Sequence, residues 1–527
     1  QGSVMLLLYA ALLVQLCSSG RILVYSPSIS ASHLISNFRI AKTLAEANHQ
    51  VTIFIPAYSS NTANFKDVVH PNIKTFHMRD ISTAFDDYNA QCESAFEEVE
   101  FTPISVRYGF EDALITTCDA ILKRRNELEF LREMKFDVAF AEQLDTCGLG
   151  ILRHLGIDNI LWISTTQLME ANSYRLGVPQ PPSYVPTIEE NDNHDVMGFW
   201  RRAHNLYMYL LAITIHSYGV EGTTAVFRRH FGHEFPHTGD IAANSSLCFV
   251  NSDEQFDLPR PSIWKNIYVG GLGISEPKKL EPSIAAIMEK GKKGVILMSL
   301  GTIAPFHALP ETAQRDVIAV FERFKDYHFI LKISKEDSTT ANLVAHLSNV
   351  DLLPWLPQSD MLGHPRLRLF IMHGGLNGLM EAAHRAVPVV VIPFFADQFR
   401  NGRLVEKRGM GKSILKKELT AKTLGSAVEE LLRDDSYKKA AERISQLLKT
   451  RPFSAEERLV KWTEFAISNG VLSHLHLEGS RLSTIVYFNL DVIAVASFSL
   501  LFLSFILVKT LQFIIVGPAL KKKEKKL

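Results

Sequence analysis

A histidine and two glycines, His373-Gly374-Gly375, close a short apolar run from Leu369 to Met372. Helix-forming residues follow from Asn377 to Ala386, then a second apolar run, Pro388 to Pro393, and a loop ending in Asp397-Gln398. This order suits an anion. Glycines let a backbone come close, and a helix amino terminus offers free N–H groups and partial positive charge. Glu381 lies four residues beyond Asn377, hence on the same helix face. Trp355 supplies a large flat face on which a base could stack. A second histidine, His33, stands at a helix start behind the apolar run Ile22 to Tyr25. A neutral imidazole near its ordinary pKa can take a proton from a hydroxyl at physiological pH.

These residues must be positioned by alternating strands and helices. In the first half the strands are Ile22–Tyr25, Val51–Ile55, Asp137–Ala141 and Ile160–Ile163. A helix from about His33 to Ala47 carries Leu34, Phe38, Ala41 and Leu44 at helical spacing, and Asn48 suits its end. Another covers Gly148 to Leu155. The irregular stretch 60–135 brings Phe96, Phe101, Tyr108 and Phe110, either as walls of a pocket or as core. Phe199 to Ile215 reads as a packed helix, whose basic apolar start also suits a membrane surface. After Pro259–Pro261, a linker in this reading, Ile267–Val269 opens a second half with strands Val295–Ser299 and His328–Ile333 and helices Glu311–Phe324 and Leu419–Arg433. Strand, turn, helix, strand is the unit of a parallel α/β sheet, which binds ligands beyond the carboxyl ends of its strands.

Trp355, Gln358, the His-Gly-Gly turn, Glu381, Pro388, Pro393 and Asp397-Gln398 fall within 44 residues and closely resemble the signature of the UDP-glycosyltransferases, of the animal UDP-glucuronosyltransferase and UDP-glucosyltransferase type. A dozen positions at fixed spacing are far more specific than a lone glycine motif. The resemblance implies an α/β fold of two facing Rossmann-like domains (GT-B type), with an acceptor half, a donor half and a C-terminal transmembrane helix. It also implies roles. Trp355 would stack on uracil with Gln358 beside it. His373, Gly375, Asn377 and Gly378 would hold the diphosphate, with the turn Leu300-Gly301-Thr302 near the phosphates. Glu381 would take the ribose hydroxyls, and Asp397 and Gln398 the sugar hydroxyls. His33 matches the family's general base. Its supporting carboxylate falls at Glu142, with Asp145 three residues on; the shorter side chain of Asp145 is easier to fix and favours it narrowly. Met372 and Ala386 depart from the family's usual hydroxyl residue and glycine.

The activity so implied is inverting transfer of glucuronic acid or glucose from a UDP-sugar to a hydroxyl or similar group of a small lipophilic acceptor. A membrane-anchored UDP-sugar-binding protein without turnover is the alternative, suggested by Met372 and the displaced acid. No metal-ligand spacing is present, so no cofactor is expected beyond UDP-glucuronate or UDP-glucose as donor. Expected partners are therefore the UDP-sugar, the acceptor and a membrane, with a homo-oligomer left open.

Composition sets the remaining bounds. The 527 residues suit two domains plus extra segments, and 46% hydrophobic against 21% charged residues suits a globular protein with membrane parts. Basic and acidic residues balance at 56 each, which gives no sign of nucleic-acid binding. Five cysteines are too few to argue a disulfide scaffold, although Cys92, Cys118, Cys147 and Cys248 could pair in an oxidising lumen. The expected division is a signal peptide at 1–20, the acceptor domain at 21–260, the donor domain at 261–450, a return helix and linker at 451–485, a transmembrane segment at 486–516 and a cytosolic lysine tail at 517–527. Lysines after the span place that end in the cytosol and both domains in the lumen. Lys523-x-Lys525 resembles a retrieval signal of the endoplasmic reticulum, and Asn244-Ser245-Ser246 is a glycosylation sequon.

Overall fold

A computed structural model describes residues 19–62, 65–90, 101–301, 305–335 and 337–524. Residues 1–18 of the expected signal peptide, together with Cys92, Phe96, Thr302, Lys525 and Lys526, lie outside them. The chain divides into one unit up to His476 and a second from Leu477.

Two parallel sheets build the first unit. Strands β1 (Arg21–Tyr25), β2 (Gln50–Pro56), β3 (Ile73–Met78), β4 (Val138–Glu142), β5 (Ile160–Ser164), β6 (Leu247–Val250) and β7 (Asn266–Tyr268) lie in the order 3-2-1-4-5-6-7. Strands β8 (Gly294–Ser299), β9 (Tyr327–Lys332), β10 (Val350–Leu353), β11 (Leu367–Met372), β12 (Val389–Val391) and β13 (Gly411–Ser413) lie in the order 10-9-8-11-12-13. Central strands such as β1, β4, β8 and β11 are buried on both faces, which is why they read as continuous apolar runs rather than alternating ones. Each strand order reverses once, between β1 and β4 and between β8 and β11. Helices leave such a point in opposite directions, so a crevice opens there.

The helix Ala31–Glu46 buries Leu34, Phe38, Ala41 and Leu44 against the first sheet, and Asn48 follows it at φ 67°. The boundary drawn at 260/261 needs correcting. Ile267 lies in β7 and pairs with Phe249 of β6, so this stretch closes the first sheet instead of opening the second. Three residues carry too little pattern to show which sheet they join; pairing decides it. The return helix Ala455–Asn469 packs Ala455, Leu459 and Ala466 into the same core as Ile22 and Leu34. Phe199 begins a helix that runs to Phe231, twice the expected length, with Phe199, Trp200 and Leu210 exposed on its first turns. In the second unit the helix Leu490–Glu524 contains 25 residues, Leu490–Ile514, long and apolar enough to cross a membrane.

Cys118 and Cys147 form a disulfide that joins the helix Ile104–Lys123 to the helix after β4. Cys248 is a buried thiol whose pKa burial pushes up to about 12. Cys118→Ser should lower unfolding stability by about 2–5 kcal/mol, read by urea denaturation. An unchanged midpoint would show that the link is dispensable.

Candidate active site

Both strand reversals open onto one cavity of about 620 Å³, lined by His33 and Thr165 from the first domain and by Trp355, His373, Glu381 and Asp397 from the second. His33 sits in the first turns of the helix after β1, and Glu142 is the last residue of β4. Its Nδ1 lies 3.1 Å from Glu142 Oε1 and 3.2 Å from Thr165 Oγ1. Glu142 is itself fixed, accepting from the Thr165 hydroxyl at 2.7 Å and from Leu144 N–H at 2.9 Å. Burial alone would lower the pKa of His33, but the Glu142 carboxylate, aided by Asp397, raises it above the ordinary value.

Asp145 does not reach His33, which corrects the narrow preference for it. It accepts from the hydroxyls of Tyr25 and Tyr58, each at 2.6 Å, and caps the next helix through Cys147 N–H. Burial lifts its pKa to about 6. A short side chain beyond the strand end is captured by that helix start, whereas the longer Glu142 points from the strand end into the crevice.

On the other side, the helix Leu376–His384 starts at Gly375, its N-cap. His373 lies beneath it. A Cβ on Gly301 would stand 2.9 Å from the His373 ring, and one on Gly375 only 2.5 Å. Those glycines therefore allow the strand ends of β8 and β11 to close over the imidazole. Burial, with a contribution from Lys332, lowers the pKa of His373 to about 4. The ring is neutral at physiological pH and lines the cavity without a charge. Thr302 of the same turn lies outside the described residues.

Trp355 is 69% exposed and presents its face at the cavity. Glu381 holds two partners, Arg39 Nη2 at 2.8 Å and Gln358 Nε2 at 2.9 Å. Arg39 comes from the His33 helix, where Ser32, Ser36 and Arg39 share one face. The Asn377 side chain donates to Ser36 Oγ at 3.1 Å and accepts from Asn251 Nδ2 at 3.0 Å. It is thus engaged across the cleft, and Asn377 and Gly378 face the cavity with their backbone still at the helix start. Asp397 accepts from Asn401 at 2.8 Å, and burial raises its pKa to about 6. Gln398 accepts through its carbonyl from Phe394 N–H at 2.9 Å and from Phe395 N–H at 3.4 Å, and it lines the cavity.

Several lining residues carried no sequence signal beyond their place. Lys332 ends β9, donates to Gly301 O at 3.1 Å and, among the described residues, has no carboxylate partner. Its position at a strand end was the one available hint. His216 lies 2.7 Å from both Glu111 and Glu189, and Arg107 pairs with Glu189; these groups meet only through folding.

The family described as "UDP-glucoronosyl and UDP-glucosyl transferase" matches residues 20–526. This chain belongs to that family. As a UDP-glycosyltransferase it transfers a sugar from a UDP-sugar donor. Among its relatives, ugt-50 of Caenorhabditis elegans is 34% identical over 96% of this chain and 95% of that protein. UDP-glucuronosyltransferase 3A2 of Homo sapiens is 30% identical over 90% of each. In fold the UDP-glycosyltransferase is similar to a UDP-glucosyltransferase from Polygonum tinctorium, with a TM-score of 0.60 at 14% identity over 85% of this chain and 99% of that one. LpCGTa, solved in complex with UDP, gives 0.56 at 16% identity over 86% and 100%. Both are GT-B glycosyltransferases in architecture, as this chain is.

Gly301 has φ +91°, a conformation costly for side chains, and no room above His373. Gly301→Ala should cost about 1–3 kcal/mol of stability and lower the melting temperature. A melting curve matching the wild type would remove the claim that His373 requires this glycine.

Proposed function

We propose that this enzyme glycosylates hydroxyl groups of small lipophilic acceptors with inversion at the anomeric carbon. The observation that carries this reading is the His33–Glu142 pair, set in one cavity with Asp397 and the diphosphate-facing helix start. With the Nδ1 proton held toward Glu142, Nε2 is free to take the acceptor's proton. The acceptor oxygen bonds to the anomeric carbon from the face opposite UDP. The bond from that carbon to the phosphate oxygen breaks, and UDP leaves with the electron pair. The N–H groups at the start of the helix Leu376–His384, a hydrogen bond from His373 and the Lys332 ammonium stabilise the departing charge. Glucuronic acid or glucose is the transferred sugar. Apolar side chains in the first domain, including Phe85, Tyr88, Phe110 and Ile215, supply the lipophilic wall.

The apolar helix Leu490–Ile514 supports a membrane anchor. With lysines following it, the reading extends to a single-pass protein of the endoplasmic reticulum with its catalytic domains in the lumen.

UDP release measured with a panel of phenols and steroids tests turnover, and the anomeric coupling in the product's NMR spectrum tests inversion. Release with no acceptor in the panel would favour a UDP-sugar-binding protein. The pH dependence is a sharper test. Neutral His33 is the reactive form, so kcat/KM should rise with pH through a pKa above the ordinary histidine value. Glu142→Gln removes the carboxylate that holds this pKa up. Its acid limb should move to lower pH, and its plateau should fall by ~10²-fold or more. An unmoved limb would uncouple Glu142 from the base.

Donor binding should divide by ligand fragment. Trp355→Ala and Glu381→Ala should weaken UDP itself, by about 1–3 kcal/mol for the loss of stacking. Asp397→Ala should spare UDP and weaken the intact UDP-sugar. Calorimetric titration of both ligands measures this, and parallel losses of UDP in the Asp397 and Glu381 variants would overturn the division.

A further inference from the structure

The segment from Thr187 to Asp195 belongs to the first domain in sequence but is fastened to the second. Glu190 is buried, and its backbone N–H donates to Ala396 O at 3.0 Å. In return Ala396 N–H donates to Glu190 Oε1 at 2.6 Å. The same carboxylate accepts from Thr102 twice, from the hydroxyl at 2.8 Å and from the N–H at 3.0 Å. Both residues of the cross-domain pair are non-glycine residues in the left-handed region, Glu190 at φ 50° and Ala396 at φ 53°. Such a conformation costs of order 1 kcal/mol per residue and persists only where surrounding bonds impose it. Two residues on, Asp192 binds Arg403 of the helix Gln398–Lys407, through Nη2 at 3.1 Å and by its carbonyl to Nε at 2.9 Å.

What this fastening holds is specific. Ala396 directly precedes Asp397 and Gln398. Glu189, directly before Glu190, bonds His216 and Arg107 in the wall of the acceptor half. Adjacent residues of one short segment thus touch the acceptor wall and the loop that faces the donor sugar. Among the described residues, the acceptor for the Ala396 N–H is the Glu190 carboxylate. Without that carboxylate the N–H would lose this partner in a part-buried site, and the left-handed turn before Asp397 would keep only the backbone bond from Glu190 N–H to Ala396 O.

We infer that Glu190 is a positioning residue for sugar transfer: by holding Ala396 across the cleft, it sets Asp397 and Gln398 against the donor sugar and keeps that geometry in register with the acceptor wall. This rests on the reading that Asp397 and Gln398 face the sugar of the donor. Glu190 itself touches no reacting atom. Its effect should therefore fall on the sugar and on the transfer step, and should spare the nucleotide, which is held by Trp355, Gln358 and Glu381 on the far side of the helix start.

Glu190→Ala and Glu190→Gln are compared with the wild-type full-length protein for binding of UDP, UDP-glucose and UDP-glucuronate by calorimetry, and for kcat and KM. In Glu190→Ala, UDP affinity should stay within about twofold, affinity for the UDP-sugar that is turned over should fall ~10-fold, and kcat should fall ~10²-fold, the scale of a misplacement near 1 Å. Glu190→Gln keeps an oxygen for Ala396 N–H but turns an NH2 toward Thr102 N–H, so it should fall between the two. Equal losses of UDP and UDP-sugar, or an unchanged kcat, would overturn the assignment. Should the alanine variant fail to fold, the isosteric glutamine variant decides by the same split. A wild-type protein that binds no UDP would instead strike down the donor-site reading, and this inference with it; a working wild type with an indifferent Glu190 variant would strike down the inference alone.

Discussion

Burying charge between two sheets is the constraint that shapes this enzyme. A parallel sheet offers a crevice only where its strand order reverses, and here two such crevices face one another across a single cavity. Into it project His33, Arg39, Arg107, His216, Glu381 and Asp397, with Glu142 buried against His33, groups that are each expensive to desolvate. The fold meets the cost by pairing. His33 meets Glu142, Arg39 meets Glu381, and His216 meets two glutamates. Lys332 donates to the Gly301 carbonyl and, among the described residues, has no carboxylate partner; burial lowers its pKa.

Pairing across the cleft does more than neutralise charge. Arg39 and Ser36 lie on the helix that carries His33, while their partners Glu381 and Asn377 lie on the helix Leu376–His384. His33 and the helix Leu376–His384 are thereby tied by side-chain bonds between two helices. The wall that holds His216 and the loop before Asp397 are tied by the segment around Glu190. The Glu381 carboxylate is oriented by Arg39 and Gln358. Electrostatics then sort the two histidines. Glu142 raises the pKa of His33, while burial lowers that of His373 to about 4.

The alternation of apolar runs and helical periods determined the two parallel sheets, because strands buried on both faces must be apolar throughout and their crossover helices must be amphipathic. Spacing within residues 355–398 determined that Trp355, His373, Glu381 and Asp397 meet at one cavity, because a strand, a glycine turn and a helix in succession have few ways to fold and bring their ends to one place. His33 was legible for the same reason. Other features depended on contacts between distant segments and belonged to the tertiary structure alone. Short strands such as β7 and β13 take their place by pairing, and β7 joined the first sheet against expectation. Glu142 and Asp145 differ by one methylene and three positions. Only the three-dimensional arrangement, with Tyr25 and Tyr58 closing on Asp145 and the strand end aiming Glu142 at His33, decided between them. Glu190 and Ala396 are 206 residues apart, and no local pattern marks a hydrogen bond across a cleft.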